Sequence, residues 1–235
     1  RQYLAACEYG NDKAIFGFGN DGGYAGETNL VSSSGVVASD VSAVGTARHG
    51  LAAATFGGDK GIFGFGYDGS YQSMTNLVSN AGVVASDVTG VGTARRELGS
   101  CEYSSGKDKA IFAYGYDGSS AVSVSNLVSN AGVVATDVTG VGTARVALAA
   151  CGYGLDKGIF GFGNAGGSVD ETNLVSNVGV VSTDVSGVGT DRFDVAATQY
   201  GEDKGIFAYG ATPSAQSVSN LVSNTGVVAS DVSGV

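Results

Sequence analysis

The sequence predicts an all-β fold, a closed five-bladed β-propeller that forms a single domain over residues 1–235. The main observation is a motif that occurs five times. Each copy begins with an arginine, and successive copies are 47 residues apart except for one step of 50; the arginines are Arg1, Arg48, Arg95, Arg145 and Arg192. Repeats of about 40–50 residues are typical of propellers and solenoids, in which each repeat is one supersecondary unit.

The two ends of the chain indicate how such a ring would close. The last repeat stops at Ser233-Gly234-Val235, where the other repeats continue with Gly-Thr-Ala-Arg, and the chain begins with an arginine. We therefore expect the N-terminal strands to complete the terminal blade by pairing with residues 220–223 and 227–230. Three missing residues span at most about 10–14 Å, so Val235 is expected within that distance of Arg1.

The strands within one repeat follow from its apolar runs and glycines. In the second repeat, residues 51–57 and 60–66 are two apolar runs around a short glycine turn, which indicates a β-hairpin. Residues 76–79 and 83–86 are expected to form the third and fourth strands. Four short antiparallel strands in a repeat of this length are typical of a propeller blade.

The second strand of each repeat carries two aromatic residues. Strict alternation would place Phe63 and Phe65 on one face of the strand and Gly64 and Gly66 on the other. We therefore expect the aromatic rings of one blade to be buried against the glycine face of its neighbour. The third repeat is three residues longer than the others, and the extra residues are expected in loops at 104–107 and near 119–120.

The repeat resembles two known kinds of sequence. The first series is an arginine, then a small apolar strand ending in Tyr-Gly, then a second apolar strand ending in Gly, and finally a Val-rich strand ending in Asp. This series resembles the kelch repeat, and the resemblance covers all five units. The chain departs from that family in having no tryptophan and in ending its second strand with Gly-Phe-Gly or Ala-Tyr-Gly rather than with a double glycine. The resemblance implies a four-stranded propeller blade and an adaptor or recognition module. The Asn-Leu-Val-Ser unit also resembles arrays in marine viral and phage virion proteins, which implies a virion or extracellular location.

The charge balance argues against nucleic acid and membranes as partners. The chain has a net charge of −10, and all but two of its twelve cations are the repeated arginines and a repeated lysine in each unit. Only Arg96 and Lys107 lie outside these columns, whereas phosphate binding requires many unpaired cations. No apolar run approaches the roughly 18 residues that a membrane helix requires, so no membrane insertion is expected.

The residues for catalysis or metal binding are largely missing. His49 is the only histidine, and Cys7, Cys101 and Cys151 occupy one repeated position in different units. Serine hydrolases require a general base, and copper or zinc sites require several histidines or paired cysteines. The sequence therefore predicts a protein that is not an enzyme and that binds no metal or cofactor. An oxidase-type propeller enzyme is the alternative that the lack of histidines disfavours.

Two columns of charge are expected to be structural. The repeated arginine is expected to pair with the aspartate of an Asp-Val motif at the blade junctions. These aspartates are Asp40, Asp87, Asp137, Asp184 and Asp231. The alternative is that the two columns form five identical binding sites around the ring.

The candidate binding residues lie where the five copies differ. One variable stretch is the pair of residues after each arginine, and the other follows the Gly-Phe-Gly or Ala-Tyr-Gly end of the second strand. The candidates in these stretches are Tyr24, His49, Tyr67, Asp68, Tyr71, Tyr116, Asp117 and Asn164. Exposed tyrosines beside Asp, Asn and Gly favour recognition of a protein or glycan through this loop face. Neutral drift in the loops, and a structural spacer or decoration role within a larger assembly, are the alternatives.

Overall fold

The computed structural model describes residues 1–234 and shows five three-stranded antiparallel sheets, one for each repeat. Sheet 1 consists of β1 (Ala5–Tyr9), β2 (Lys13–Asn20) and β3 (Tyr24–Val31), and sheet 2 of β4 (Ala52–Phe56), β5 (Lys60–Tyr67) and β6 (Tyr71–Val78). Sheet 3 consists of β7 (Gly99–Tyr103), β8 (Lys109–Ala113) and β9 (Ser125–Val128), and sheet 4 of β10 (Ala149–Tyr153), β11 (Lys157–Asn164) and β12 (Ser168–Val175). Sheet 5 consists of β13 (Ala196–Tyr200), β14 (Lys204–Ala208) and β17 (Ser219–Val222), with the small hairpin of β15 (Ala211–Thr212) and β16 (Ser214–Ala215) between its last two strands. The prediction of an all-β chain of repeated units is confirmed.

The predicted fourth strand does not form. Residues 83–86 touch β6 only through an isolated bridge between Val78 and Val84, and a second bridge joins Thr75 to Val88. The Asn76 side chain explains the interruption, because its amide donates to the carbonyl of Ala85 at 3.1 Å and to Asp87 at 2.9 Å. A side chain thus takes the place of main-chain pairing, so each unit is three-stranded and the prediction of four-stranded blades is wrong.

The five sheets pack against one another in chain order. The first strands are neighbours in the series β1, β4, β7, β10 and β13. Together they line a common cavity of about 160 Å³, so the sheets are arranged around one axis. Each internal sheet has a neighbour on both faces, and the apolar core is divided into four clusters, each of which joins two successive sheets.

The closed propeller is also wrong, because sheets 1 and 5 do not complete one another. β1 and β2 pair with each other and with β3, whereas the sheet that contains β17 holds only β13 and β14. Among the described residues, no packing like that between β10 and β13 joins β13 to β1. The N-terminus therefore does not complete the terminal blade. The predicted distance between Arg1 and Val235 lies outside the described residues.

A β-bulge in the second strand determines how the sheets pack. The register of β5 against β6 shifts between Gly64 and Gly66, and Phe65 lies at the bulge with a φ of 66°. This left-handed conformation turns the Phe65 ring to the face opposite Phe63. Phe63 therefore packs against Phe18 of sheet 1, whereas Phe65 packs against Phe112 of sheet 3. The expectation that Phe63 and Phe65 share one face is wrong.

Glycine before the bulge allows the sheets to approach closely. A Cβ atom added to Gly17 would lie 2.8 Å from Cζ of Phe63 on the next sheet. Gly64 and Gly161 meet Phe112 and Phe207 in the same way, so three of the four interfaces place a ring against nearly bare backbone, as the sequence indicates. In the third unit the equivalent residue is Ala113. The extra residues of the third repeat lie in a 3₁₀ turn, Ser105–Lys107, and in the loop at 118–120, which are the predicted regions. Within residues 1–234 there is no helix long and apolar enough to span a membrane.

Candidate ligand-binding surface

The fold brings the two variable stretches of each repeat together. The residue after the repeated arginine forms a two-way backbone bridge with the residue at the end of the Gly-Phe-Gly strand. The His49 amide donates to the Tyr67 carbonyl at 3.0 Å, and the Tyr67 amide donates to the His49 carbonyl at 2.9 Å. Arg96 and Tyr116 form the same bridge in sheet 3. Variation among the repeats is therefore concentrated along one edge of the molecule.

Sheets 1 to 3 carry a continuous series of aromatic rings along this edge, which we call the aromatic row. The ring of Tyr24 stacks on His49 at 5.6 Å, with an angle of 9° between their planes. Tyr67 lies 5.8 Å from His49 and 5.1 Å from Tyr71, and Tyr71 lies 5.8 Å from Tyr116. Five predicted candidates thus belong to one surface.

Two further members of this surface were not predicted. The ring of Tyr3 lies 5.8 Å from His49, and the guanidinium of Arg96 lies 5.1 Å from the centre of the Tyr67 ring. Both residues belong to the variable pairs after Arg1 and Arg95, so the variability that identified His49 could also have identified them. Nothing in the sequence shows that the pairs approach the tyrosines, because that depends on the bridges between strands.

The rings of the aromatic row are partly exposed to solvent and are held in place by packing on one side. Tyr24 is 43% exposed, and Tyr3 is 58% exposed. Tyr67, Tyr71 and Tyr116 are half-buried. Tyr71 also packs over Gly118, where an added Cβ would lie 2.6 Å from the ring. Rings that are fixed on one side and open on the other can bind a ligand with little loss of side-chain entropy.

Two predicted carboxylates lie in turns beside the row. Asp68 Oδ1 accepts hydrogen bonds from the amide of Ser70 at 3.1 Å and from Nε2 of Gln72 at 2.9 Å. Burial opposes the ionisation of Asp68, but these hydrogen bonds prevail and lower its pKa. Backbone hydrogen bonds from Ser120 and Ser119 likewise lower the pKa of Asp117. Both groups are therefore carboxylates at neutral pH, and neither Oδ2 has a hydrogen-bond donor among the described residues.

Two other candidates have different surroundings. Asn164 lies in sheet 4, where it bridges to Val146, and its side chain accepts from the Gly166 amide at 2.9 Å. No aromatic ring of the row contacts it, because the row ends in sheet 3. For His49, burial and the nearby Arg96 lower the pKa of the imidazole, although Glu97 opposes them. His49 is thus a neutral ring at pH 7.

The arginine and aspartate columns form one repeated network inside each sheet. Arg48 is fully buried and donates to the carbonyl of Phe65 at 2.7 Å and to Oδ1 of Asn76 at 2.7 Å. Asp87 lies 3.9 Å from the guanidinium and accepts from Oγ1 of Thr46 at 2.8 Å. The Arg–Asn and Thr–Asp hydrogen bonds recur around Arg95, Arg145 and Arg192, with Asp137, Asp184 and Asp231. Arg145 and Arg192 also lie within 4.0 Å and 3.4 Å of their aspartates.

This network explains the repeated arginines and aspartates as structural residues, with no need for a bound ligand. Its main contact is the Asn side chain that connects Arg to Asp, and the sequence shows this Asn only as part of the Asn-Leu-Val-Ser motif. Arg1 keeps the bond to its asparagine, Asn29, and Asn29 donates to Asp40 at 2.8 Å. Arg1 and Asp40 are nevertheless exposed, whereas the other four repeated arginines are fully buried.

The cavity on the axis has a mixed polar lining. One position of the first strand faces it in every sheet, and these residues are Glu8, Thr55, Glu102, Gly152 and Gln199. Lys107 of sheet 3 forms an ion pair with Glu8 of sheet 1 across the axis. Burial raises the pKa of Glu102, although its own backbone amide and Lys107 oppose the shift. The cavity therefore contains a carboxyl group that is costly to ionise.

The three cysteines are thiols that face the interior. Burial raises the pKa of Cys7 and of Cys151 to about 12, and it raises the pKa of Cys101 well above its ordinary value. At neutral pH these groups are protonated and poor nucleophiles. Within residues 1–234, no group of three or more His, Cys, Asp and Glu side chains is arranged to hold a metal ion.

A comparison with protein-family models finds no match to this chain, and a comparison with curated proteins finds none either.

Proposed function

We propose that the protein is a non-enzymatic binding module that recognises a neutral carbohydrate through the aromatic row. The observation that carries the proposal is the contiguous surface of half-buried and exposed rings from Tyr24 to Tyr116. The apolar C–H face of a pyranose ring packs well on an aromatic ring. Fixed, amphipathic aromatic side chains are also suited to recognition at a surface.

The polar groups around the row favour a neutral ligand with many hydroxyl groups. Asp68 and Asp117 are ionised, and each has an oxygen available to accept hydrogen bonds from sugar hydroxyls. Arg96 is the only cation that contacts the rings among the described residues. With a net charge of −10 the chain would repel a sulfated or phosphorylated glycan.

The first prediction concerns Tyr67, which contacts His49, Tyr24 and Tyr71 at the centre of the row. We expect binding to an array of neutral gluco-, manno- and galacto-oligosaccharides. For the best oligosaccharide, Tyr67→Ala should raise the Kd at least about tenfold, which corresponds to about 1.4 kcal/mol. Isothermal titration calorimetry measures this change.

Tyr200 provides the matched control, since it is 39% exposed and lies at the end of β13, by the β13–β14 turn, away from the row. Tyr200→Ala should leave the Kd unchanged. Absence of binding to every neutral oligosaccharide would exclude the proposed ligand class, and equal effects of the two substitutions would exclude the row as the site. Binding to a protein instead would be seen as capture of a peptide library by wild type but not by Tyr67→Ala.

A structural role within a larger assembly is the second candidate function. It is favoured by the repeated interface between sheets, which is built for stacking and is left exposed at both ends of the array. The resemblance to viral repeat arrays favours a location on a virion or in the extracellular space. This role predicts that alanine substitutions along the aromatic row leave the biological activity of the assembly unchanged.

A further inference from the structure

The four interfaces between successive sheets use the same contacts. We call Phe18, Phe65 and Phe162, which lie at bulges, and the equivalent Tyr114 and Tyr209, which share their positive φ, the bulge aromatics. At each interface the bulge aromatic of one sheet meets a phenylalanine of the next sheet edge to face, at centroid distances of 5.2, 5.2, 5.4 and 5.2 Å. The buried arginine of the next sheet lies over the same ring, 4.4, 4.1, 4.3 and 4.4 Å from its centre. Each bulge ring is therefore enclosed by one Arg and one Phe from the following sheet.

Backbone hydrogen bonds accompany these side-chain contacts. The amide of Gly66 donates to the carbonyl of Arg95 at 2.9 Å, and the amide of Gly115 donates to the carbonyl of Arg145 at 3.0 Å. The glycine is the residue after the bulge aromatic, and the carbonyl belongs to the arginine that covers the ring. The interface thus fixes both the register and the direction of stacking.

At the C-terminal end of the array, the acceptor half of this interface is uncovered. Tyr209 of sheet 5 is 57% exposed, whereas the equivalent Tyr114 of sheet 3 is fully buried. Both tyrosines occur in the sequence Phe-Ala-Tyr-Gly. The face that sheet 5 presents therefore has an internal counterpart with the same residues, and sheet 4 covers that counterpart.

At the N-terminal end, the donor half is uncovered. Phe16 is 37% exposed, whereas the equivalent Phe63 is fully buried, and Arg1 is exposed where Arg48 is fully buried. Arg1 is nevertheless held as the internal arginines are, since it donates to Asn29 as Arg48 donates to Asn76. The covering group is thus already in place before any partner arrives.

We propose that a second copy of the chain docks head to tail, so that its Arg1 and Phe16 enclose Tyr209 of the first copy. The Gly210 amide, which donates to no backbone carbonyl among the described residues, would then donate to the carbonyl of Arg1. The two faces are different surfaces, so the contact is heterologous and leaves one face of each kind free at the ends of the complex. Further copies add in the same way, and the product is a chain of molecules whose length increases with protein concentration.

The test is sedimentation of the wild type and three variants over a wide concentration range. The weight-average mass of the wild type should rise with concentration, whereas Phe16→Glu and Tyr209→Glu should each remain monomeric because each loses one half of the interface. Val83→Glu is the control, since Val83 is 66% exposed but lies on a side loop of sheet 2, and it should associate like the wild type. A wild type that stays monomeric at every concentration would overturn the proposal.

Mixing the two variants tests the direction of docking. Phe16→Glu keeps an intact Tyr209 face, and Tyr209→Glu keeps an intact Phe16 face, so an equimolar mixture should form a complex of two chains and nothing larger. A mixture that stays monomeric while the wild type associates would show that the contact is not head to tail. If either variant has a disturbed circular dichroism spectrum, the pair Arg1→Glu and Tyr209→Ser replaces it, with the same expected outcomes.

Discussion

The bulge aromatic is the residue on which the packing of the array depends. Phe18, Phe65, Tyr114, Phe162 and Tyr209 all have φ values between 61° and 66°. This conformation is unfavourable for a residue with a side chain, and it costs about 1–3 kcal/mol at each site. The burial of the ring between an arginine and a phenylalanine offsets the cost at four of the five positions. Tyr209 has no such compensation within one molecule.

The second residue with an unfavourable environment is Glu102 in the axial cavity. No side chain among the described residues donates a hydrogen bond to its carboxyl group, and burial raises its pKa. We expect Glu102→Gln to stabilise the protein at pH 7 by about 1 kcal/mol, because the half-buried carboxylate loses hydration that its own backbone amide and Lys107 do not fully replace. This corresponds to a rise in Tm of about 2–4 °C for a chain of this size.

The sign of the pH dependence follows from the raised pKa. Below the pKa that Glu102 has in the unfolded chain, the residue is protonated in both states and its burial does not lower the free energy of unfolding. The free energy of unfolding falls as the pH rises through the higher pKa that Glu102 has in the folded protein. The advantage of Glu102→Gln should therefore be present at pH 7 and absent at about pH 4. Glu202→Gln, at an exposed position, should change Tm at neither pH. Thermal melts at both pH values check this, and an equal gain at both would contradict it.

The sheet is the element that repeats, and its two faces have different partners. Phe112 is fully buried on the face that sheet 3 turns towards sheet 2, and Phe16 occupies the same position in sheet 1, the first sheet of residues 1–234. We expect Phe112→Ala to lower the free energy of unfolding by about 3–5 kcal/mol. Phe16→Ala should lower it by less than about 1 kcal/mol, since its ring is already partly in water.

Urea denaturation at low protein concentration measures both values under conditions where one molecule does not cover another. The pair is matched in residue type and strand position, and the two sites differ in the neighbouring sheet and in the following residue, which is Gly17 or Ala113. Equal costs would mean that the Phe16 face is covered within the molecule.

The sequence predicts the strands of each sheet that pair through their backbones, but it does not predict where a side chain takes the place of backbone pairing. Apolar runs around Gly57 and Gly58 predict the β4–β5 hairpin, and the structure forms it. The fourth strand fails because the Asn76 amide bonds the Ala85 carbonyl, which a pattern of valines does not reveal. Alternation also misplaces Phe65, because a bulge at a phenylalanine has no sequence signal of the kind that a glycine gives.

The candidate site was predictable in its members but not in its geometry. Differences among the copies identify Tyr24, Tyr67, Tyr71 and Tyr116, and the structure brings their rings into one row. Their proximity results from the bridge between His49 and Tyr67, which depends on the fold of the whole unit. Asn164 is separate because the row ends where sheet 4 carries no ring.

At the scale of the molecule, the sequence contains five units that lack only three residues of the complete repeat pattern. Such a sequence is compatible with both a ring and an open array. The number of repeats does not distinguish them, since closure depends on the rotation between successive sheets. The fully buried Phe207 and the exposed Tyr209 show the outcome within one sheet: the face towards sheet 4 is covered, and the other face is open. Sheets 1 and 5 therefore each have one interface, whereas sheets 2 to 4 have two.

An open array has a gradient of local stability that a ring would lack. In stacked repeats, stability is roughly the sum of each unit and its contacts with nearest neighbours, so the terminal units open first. We expect the amides of β8 in sheet 3 to exchange with solvent deuterium more slowly than those of β2 in sheet 1 and β14 in sheet 5, although all three are central strands of their sheets. Hydrogen–deuterium exchange with mass spectrometry on dilute protein measures the three peptides in one experiment. Equal protection of β2, β8 and β14 in a dilute monomer would mean that the terminal faces cover each other. At high protein concentration, head-to-tail docking should slow exchange in β2 and β14 and leave exchange in β8 unchanged.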